Sequence, residues 1–502
     1  LLYFEKIKQK FFKSIALKNI NTKASMTKLP YRKKAESSQN PKSSDVPQVP
    51  SRLKLIQLIR WIKDPLNYLE KCTKKYGDIF TLNLMGFEPF VIVGHPEGVK
   101  EIFAADSKQF DSGRGNNIVS FLVGENSLIL LDGDRHKQNR KLLMPPFHGE
   151  KVNAYGKAIC QITEQKLSNL ASNKSFLARN AMQDITLEVI LQVVFGLREG
   201  DRYQKIKPLL ASVLDVTGSP LRASFIFFPF LQQDWGVWSP WGRMLRQKQQ
   251  IYDLLQAEIE ERRSREITGN DVLSLMLLAC DEDGQKMTDA ELKDEMMTLL
   301  IAGHETTATA LAWAFYWLGK LPDITEKLQR ELDTLEDPTD PIAISHLPYL
   351  TAVCQETLRL YPILMIAFPR IAKQPIDIMG HHFEPDTILF PSIYLIHQRE
   401  DIYPEPKKFK PERFLDRSFT NYEYFPFGGS NRRCLGYALA MLEMKLVLAT
   451  VLSRYQLILL EKKPIEPQRR GLTIAPAGGV KVKLEARQIN IAQEKNNILS
   501  LQ

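Results

Sequence analysis

Cys434 lies in the stretch FPFGGSNRRCLGYALAMLEMKL, behind two adjacent glycines and two adjacent arginines and just before a run with helical periodicity. A helix N-terminus and nearby guanidinium groups both favour negative charge on sulfur, so this is a setting for a thiolate. The ordinary alternative is an inert buried thiol. A second group of polar residues, AGHETT at 302–307, sits in the middle of a long apolar run. His304 and Glu305 begin the zinc-protease pattern H-E-x-x-H, but Ala308 stands where the second histidine is needed. An acid beside hydroxyls on a buried helix reads instead as a polar station facing a cavity, with back-bonding of the threonine to its own helix as the alternative.

These residues need elements to place them. TDAELKDEMMTLLIAGHETTATALAWAFYWLGKLP opens with Thr288 and Glu291 in capping-box spacing and closes at Gly319 ahead of Pro322. It predicts one helix of about 45–50 Å. Between Met296 and Leu318 it is apolar on nearly every face and must be buried all round. A membrane span is disfavoured by the central His304 and Glu305. Helical periodicity also marks 154–172, 180–196, 241–264, 323–335, 348–361 and 435–454. YGDIFTLNLMGFEPFVIVGHP reads as a β-hairpin, and short strands are expected near Ile376–Met379, Thr387–Phe390 and Lys481–Leu484.

The chain has 502 residues with 44% apolar content, enough for a large core. Its five cysteines are scattered, with no C-x-x-C pair and no C-x-x-C-H. That pattern fits a reducing compartment and excludes covalent c-type haem attachment. The net charge of +9 is concentrated in residues 1–34, which hold ten lysines and arginines against Glu5. The nearly neutral body argues against a nucleic-acid partner. LLYFEKIKQKFFKSIALKN carries too many lysines for a signal sequence or transmembrane anchor. Residues 1–25, ahead of Met26, are expected either to precede the true start or to form a weak amphipathic helix touching a membrane surface. The organisation expected is a basic tail at 1–45, one domain at 46–485 and a loose C-terminal tail at 486–502.

Taken together, FGGSNRRCLG, AGHETT and ETLR resemble the cytochrome P450 family of haem-thiolate monooxygenases, over about residues 46–485. The resemblance implies a mainly α fold with a small β region, built around the long central helix. It implies a non-covalent haem b with Cys434 as the axial ligand to iron, and Phe427 and Gly436 in the ligand loop. Gly428 and Gly429 would bring N–H groups to the sulfur. The haem propionates would be held by His136 and Arg140 in DGDRHKQNR, Arg370 in FPRIA, and Arg432. Thr306 would bond dioxygen or a water beside it, and Glu305 would relay protons. Glu356 and Arg359 of ETLR would join Arg413 of PERF in a structural triad. Ser430 departs from the family, occupying a position that is typically glycine.

Substrate-facing positions implied by the same resemblance are Phe121, Leu122, Leu299, Ala302, Ile363, Leu364, Met365, Ile366, Leu472 and Ile474. They suit an elongated apolar substrate, a long-chain fatty acid first and a terpene second, with Arg114 as the candidate carboxylate anchor. No G-x-G-x-x-G in a strand-to-helix setting is present. Electrons are therefore expected from a separate ferredoxin or flavodoxin with an NAD(P)H-dependent reductase, in the cytoplasm. Competing readings are a haem-thiolate isomerase or dehydratase acting on peroxides, and a non-catalytic haem sensor.

Overall fold

In the computed structural model, residues 46–487 are described apart from 51–53, 106–107, 171–174, 215–231, 235, 237 and 268. The tail expected at 1–45 lies outside the described residues, as does the tail expected at 486–502 from residue 488 onward, while Ala486 ends a strand. The chain enters through α1 (Lys54–Lys63) and α2 (Pro65–Tyr76), then forms β1 (Ile79–Leu82), β2 (Phe90–Val93), α3 (Pro96–Ala104) and β3 (Phe110–Asp111). A helical series follows: α4 (Gly133–Leu143), α5 (Gly156–Leu170), the short β4 (Phe176–Leu177), α6 (Ala178–Val189), α7 (Asp201–Leu214), α8 (Pro240–Arg263), α9 (Asp289–Lys320), α10 (Pro322–Leu332) and α11 (Pro348–Leu360). The strands β5 (Arg370–Ala372), β6 (Ile376–Ile378), β7 (His381–Phe383) and β8 (Ile388–Pro391) precede α12 (Tyr437–Arg454). The described chain closes with β9 (Tyr455–Leu459), β10 (Pro467–Arg470), β11 (Thr473–Pro476) and β12 (Lys481–Ala486).

The long helix α9 forms as its sequence predicts. Thr288 Oγ1 accepts the Glu291 N–H at 3.3 Å and Glu291 Oε2 accepts the Thr288 N–H at 3.0 Å, a reciprocal capping box. From Thr307 to Leu318 every side chain is buried, because α9 runs through the core with helices and strands around it. Its polar middle is pinned to α6: His304 Nε2 lies 3.1 Å from the Gln183 carbonyl, and Thr186 Oγ1 donates to the His304 carbonyl at 3.2 Å. Burial pushes the His304 imidazole down to about 4, so it is neutral near pH 7. Among the described residues no helix is long and apolar enough to cross a membrane.

The predicted hairpin is β1 paired antiparallel with β2, in the register Ile79–Val93 to Leu82–Phe90. It is the edge of a five-stranded sheet in the order β1-β2-β8-β5-β3, in which β2 and β8 run parallel. That sheet carries Arg370 at the first position of β5. Two further sheets, β10-β11 and β4-β12-β9, stand beside α9 and α6. All the described residues belong to one compact unit.

Candidate active site

The loop before α12 presents its cysteine at the helix entrance. The Cys434 N–H donates to the Phe427 carbonyl at 2.9 Å and the Gly428 N–H to the Phe425 carbonyl at 2.9 Å, folding the loop back on itself. Gly428 needs its glycine, having φ +68°, and Ser430 adopts φ +57°. A side chain in this left-handed region costs about 1–2 kcal/mol, which is the physical reason glycine suits the Ser430 position. Gly429 is needed for space, since a Cβ there would lie 2.1 Å from the Phe103 ring. The N–H directed at the sulfur is that of Gly436, whereas Gly428 and Gly429 had been expected to supply it.

Cys434 lies deep among protein atoms yet is accessible, whereas Cys72, Cys160 and Cys354 are buried. Burial pushes the Cys434 thiol up, while the Gly436 N–H and the charges of Arg140 and Arg433 pull it down. Cys354, fully enclosed, is pushed up to about 12 by burial, with the charge of Lys445 opposing. Around Cys434 the surface is open: residues Leu435–Met441 are partly exposed, and a Cβ on Gly436 would meet no atom within 4 Å. The same helix is buried from Leu442 onward on most sides.

His136, Arg140, Arg370 and Arg432 converge from three separate elements. α4 supplies the first two one turn apart, β5 the third and the cysteine loop the fourth. Burial drives His136 down to about 3, with Arg432 and Arg140 adding to the shift. Arg370 falls to about 9 through burial and then the charge of Arg432. Arg432 falls to about 10 through burial, with Arg140 contributing, and burial lowers Arg140 too. Cations that depress one another mark a place short of negative charge. Arg432 Nη2 donates to Asp132 Oδ1 and to the Leu131 carbonyl, both at 2.6 Å, but its buried Nε has no hydrogen-bond partner. A small cavity opens beside them, lined by Phe110, Ser112, Arg370, Ser430, Asn431 and Arg432.

Asp132, which the sequence did not single out, joins this group through Arg432. It stands at the N-cap position of α4 but makes no capping bond. Its carboxylate reaches instead to the N–H groups of Ser112 at 2.7 Å, Gly113 at 2.8 Å and Arg114 at 3.0 Å. The available signal was its place at the head of DGDRHKQNR.

On α9, Ala302 is exposed and Thr306 partly exposed, although the helix is otherwise mostly buried. The Thr306 hydroxyl donates to the Ala302 carbonyl one turn back. Glu305 does not share that environment. Its carboxylate takes Arg179 Nη2 at 2.5 Å, Gln183 Nε2 at 2.9 Å and Thr309 Oγ1 at 3.3 Å, so it is engaged with α6. Glu356, Arg359 and Arg413 come together: Arg359 donates to Glu356 at 2.6 and 2.8 Å, and Arg413 Nε to Glu356 at 3.1 Å. Arg359 also donates to the carbonyls of His397 at 2.7 Å and Pro406 at 2.9 Å, fixing the segment that leads toward the cysteine loop.

The cytochrome P450 family model matches residues 47–484. The chain is a cytochrome P450. It is 32% identical over 446 residues to the mycobacterial cytochrome P450 135B1 of Mycobacterium tuberculosis, covering 88% of this chain and 92% of that protein. It is 31% identical over 437 residues to cytochrome P450 138 of the same species, covering 86% and 95%. Among solved structures it is similar to a retinoic acid-bound cyanobacterial P450, CYP120A1, with a TM-score of 0.75 and 25% identity, covering 86% of this chain and 96% of that one. Cytochromes P450 are haem-thiolate enzymes, typically monooxygenases, and this chain has their mainly helical fold.

The residues expected to face substrate in this P450 divide into two sets. Phe121, Leu299, Leu364 and Ile366 are partly open, and Ala302 and Leu472 are exposed. Leu122, Ile363, Met365 and Ile474 are buried in the hydrophobic core. The split at 363–366 falls in a bending segment ahead of β5, where Ile363 and Met365 are buried and Leu364 and Ile366 stay partly open. Arg114 does not stand free as an anchor: it pairs with Asp386 at 2.7 Å and Asp111 at 3.2 Å.

Proposed function

We propose that this chain is a monooxygenase that inserts one atom of dioxygen into an elongated apolar substrate, with electrons from a separate ferredoxin or flavodoxin system. The second oxygen atom leaves as water. Cys434 is assigned as the thiolate that holds haem iron, and His136, Arg140, Arg370 and Arg432 as the partners of the haem propionates. Three features support the fit: the accessible thiol at a helix N-terminus, the open face at Gly436, and the cations Arg140 and Arg370 gathered around Arg432 and its unpartnered Nε. When bound, haem supplies dioxygen activation, and a thiolate ligand favours O–O cleavage.

The chain's own residues do the rest. The Gly436 N–H and the Arg140 and Arg433 charges oppose the effect of burial and stabilise the deprotonated sulfur. Ala302 leaves room on the substrate side, and Thr306 is assigned to holding a proton or water there, its hydroxyl exchanging its bond to the Ala302 carbonyl for one to the ligand. Glu305 contributes to proton delivery only after release from Arg179.

The observation that carries the substrate reading is that Phe121, Leu299, Leu364 and Ile366 are partly open and Ala302 and Leu472 exposed, apolar side chains assigned here to face the substrate. It suits a long-chain fatty acid first and a terpenoid second. The retinoic acid bound by the cyanobacterial relative, an elongated apolar acid, is of similar character. Titrating the holoenzyme with saturated fatty acids of rising length, beside terpenoids of matching size, tests this through the low-to-high-spin haem transition. Affinity is expected to rise about four-fold per methylene, the equivalent of about 0.8 kcal/mol, until the lining is filled. Affinity indifferent to chain length would overturn the reading.

A further inference from the structure

The side of α9 that carries Ala302 and Thr306 does not end at those residues. Positions four apart on a helix stack on one side, so Thr298 and Asp294 continue the same row toward the N-terminus, with Asp294 about 12 Å from Ala302 along the axis. Both are buried, and both are tied to one segment, 120–131. Asp294 Oδ2 accepts the Asn126 N–H and Asn126 Nδ2, each at 2.9 Å, while the Tyr252 hydroxyl of α8 donates to Oδ1 at 2.5 Å. Thr298 Oγ1 lies 2.7 Å from Ser127 Oγ. The approach is close, since a Cβ on Gly124 would stand 2.0 Å from Asp294 Oδ1. Next to Asp294, Glu295 Oε1 accepts the Leu128 N–H at 2.5 Å, and the Leu128 carbonyl in turn accepts Arg432 Nη1 at 3.4 Å. Burial pushes Glu295 up to about 8, so near pH 7 it is mostly neutral and adds little like charge beside Asp294.

The start of the same segment presents Phe121. Its carbonyl accepts Lys248 Nζ of α8 at 3.0 Å, and its ring centroid lies 4.7 Å from that of Trp241, also on α8. One carboxylate therefore joins three elements: α9, which carries Ala302 and Thr306, and the 120–131 segment and α8, which together hold Phe121. We propose that Asp294 is a positioning residue for substrate, seating the 120–131 segment and α8 against α9 so that Phe121 keeps a fixed place relative to Ala302 and Thr306. Asp294 acts through Asn126 and Tyr252 and touches no reacting atom in this role. The inference rests on the reading above that Phe121 and Ala302 face the substrate. An amide at 294 offers one acceptor oxygen where the carboxylate offers two, so Asp294→Asn keeps the volume and gives up one of the two ties.

The test follows amide hydrogen exchange of the holoenzyme together with palmitic acid affinity, read by the spin-state shift of the haem. In Asp294→Asn, exchange within 120–131 should quicken at least ten-fold while that of α11 stays unchanged, and palmitic acid should bind about ten-fold more weakly. Tyr252→Phe, which leaves the carboxylate in place, should move both readings in the same direction by a few-fold. In a Phe121→Ala background the effect of Asp294→Asn on affinity should shrink below two-fold, because the side chain being positioned is gone. An equal loss of affinity in that background would overturn the inference, as would unchanged exchange at 120–131 in both variants. Exchange quickened equally in α11 would also overturn it, reducing Asp294 to a general support of the fold. If the unaltered enzyme shows no spin shift with palmitic acid, the fatty-acid reading alone fails, and exchange at 120–131 against α11 decides the role of Asp294.

Discussion

Two buried groups of basic residues lie within this fold, and they are finished to different degrees. Around Glu356, both guanidinium groups have found acceptors: Arg359 bonds two carboxylate oxygens and two carbonyls at 2.6–2.9 Å, and Arg413 bonds Glu356 and the Pro404 carbonyl. Around Asp132, Arg140 depresses Arg432, Arg432 depresses Arg370, both Arg140 and Arg432 hold His136 down, and Arg432 retains an unpartnered Nε. A saturated cluster can only hold structure. An unsaturated one is kept at a cost in stability and implies an anion that completes it.

The largest expected effect breaks the finished cluster. Arg359→Ala would leave the Glu356 carboxylate buried beside a cavity and should cost about 3–5 kcal/mol, read as loss of soluble folded protein or a drop in the urea midpoint. A variant as stable as the parent would remove the structural role of the triad. Arg140→Gln sharpens the contrast from the other side. It should leave the stability of the haem-free protein equal or higher, because it relieves repulsion of Arg433 and Arg432. Haem should nevertheless leave about ten-fold faster, equivalent to about 1.4 kcal/mol for one charge-assisted bond, as followed by transfer to apomyoglobin. Loss of apoprotein stability without faster haem release would show that this cluster, too, is structural.

The smallest effect separates backbone from charge. Ser430→Gly, at φ +57° beside Arg432, should stabilise the protein by about 1 kcal/mol in thermal unfolding and leave haem affinity unchanged. A fall in stability would mean that the serine side chain holds the turn.

Much of this architecture was legible because its signals are local. The capping box at Thr288 and Glu291, the periodicity of α5, α6, α8, α11 and α12, and the alternation in β1 and β2 all appear where expected. The helices α1, α2, α3 and α7 were missed. In α1 the outward face is as apolar as the inward one, and α7 contains Pro208, which reads as a break. The strands β9, β10 and β11 have only four or five residues each and depend on partners elsewhere in the chain.

At the site, motifs located the residues but not the directions of their side chains. Glu305 and Thr306 are adjacent in sequence, yet neighbours on a helix do not share a face, and Glu305 turns to Arg179 on α6. Leu122, Ile363, Met365 and Ile474 are as apolar as their open neighbours, and composition alone could not tell lining from core. Arg114 was legible as a cation but its acids were not: Asp386 is far along the chain. Asp132 was hidden in an N-cap position, where an aspartate has an ordinary explanation.

The double bond set of Asp132 has a bearing on the timing of access. One carboxylate fastens the loop at Ser112–Arg114 and also serves as counter-ion to Arg432. A swing of that loop wide enough to carry Asp132 away would strand positive charge in the interior. In the haem-free protein such a swing is strongly opposed, because no other anion is at hand. Propionates held at Arg432, as proposed for the bound haem, would share that charge, and the same swing would then leave less behind.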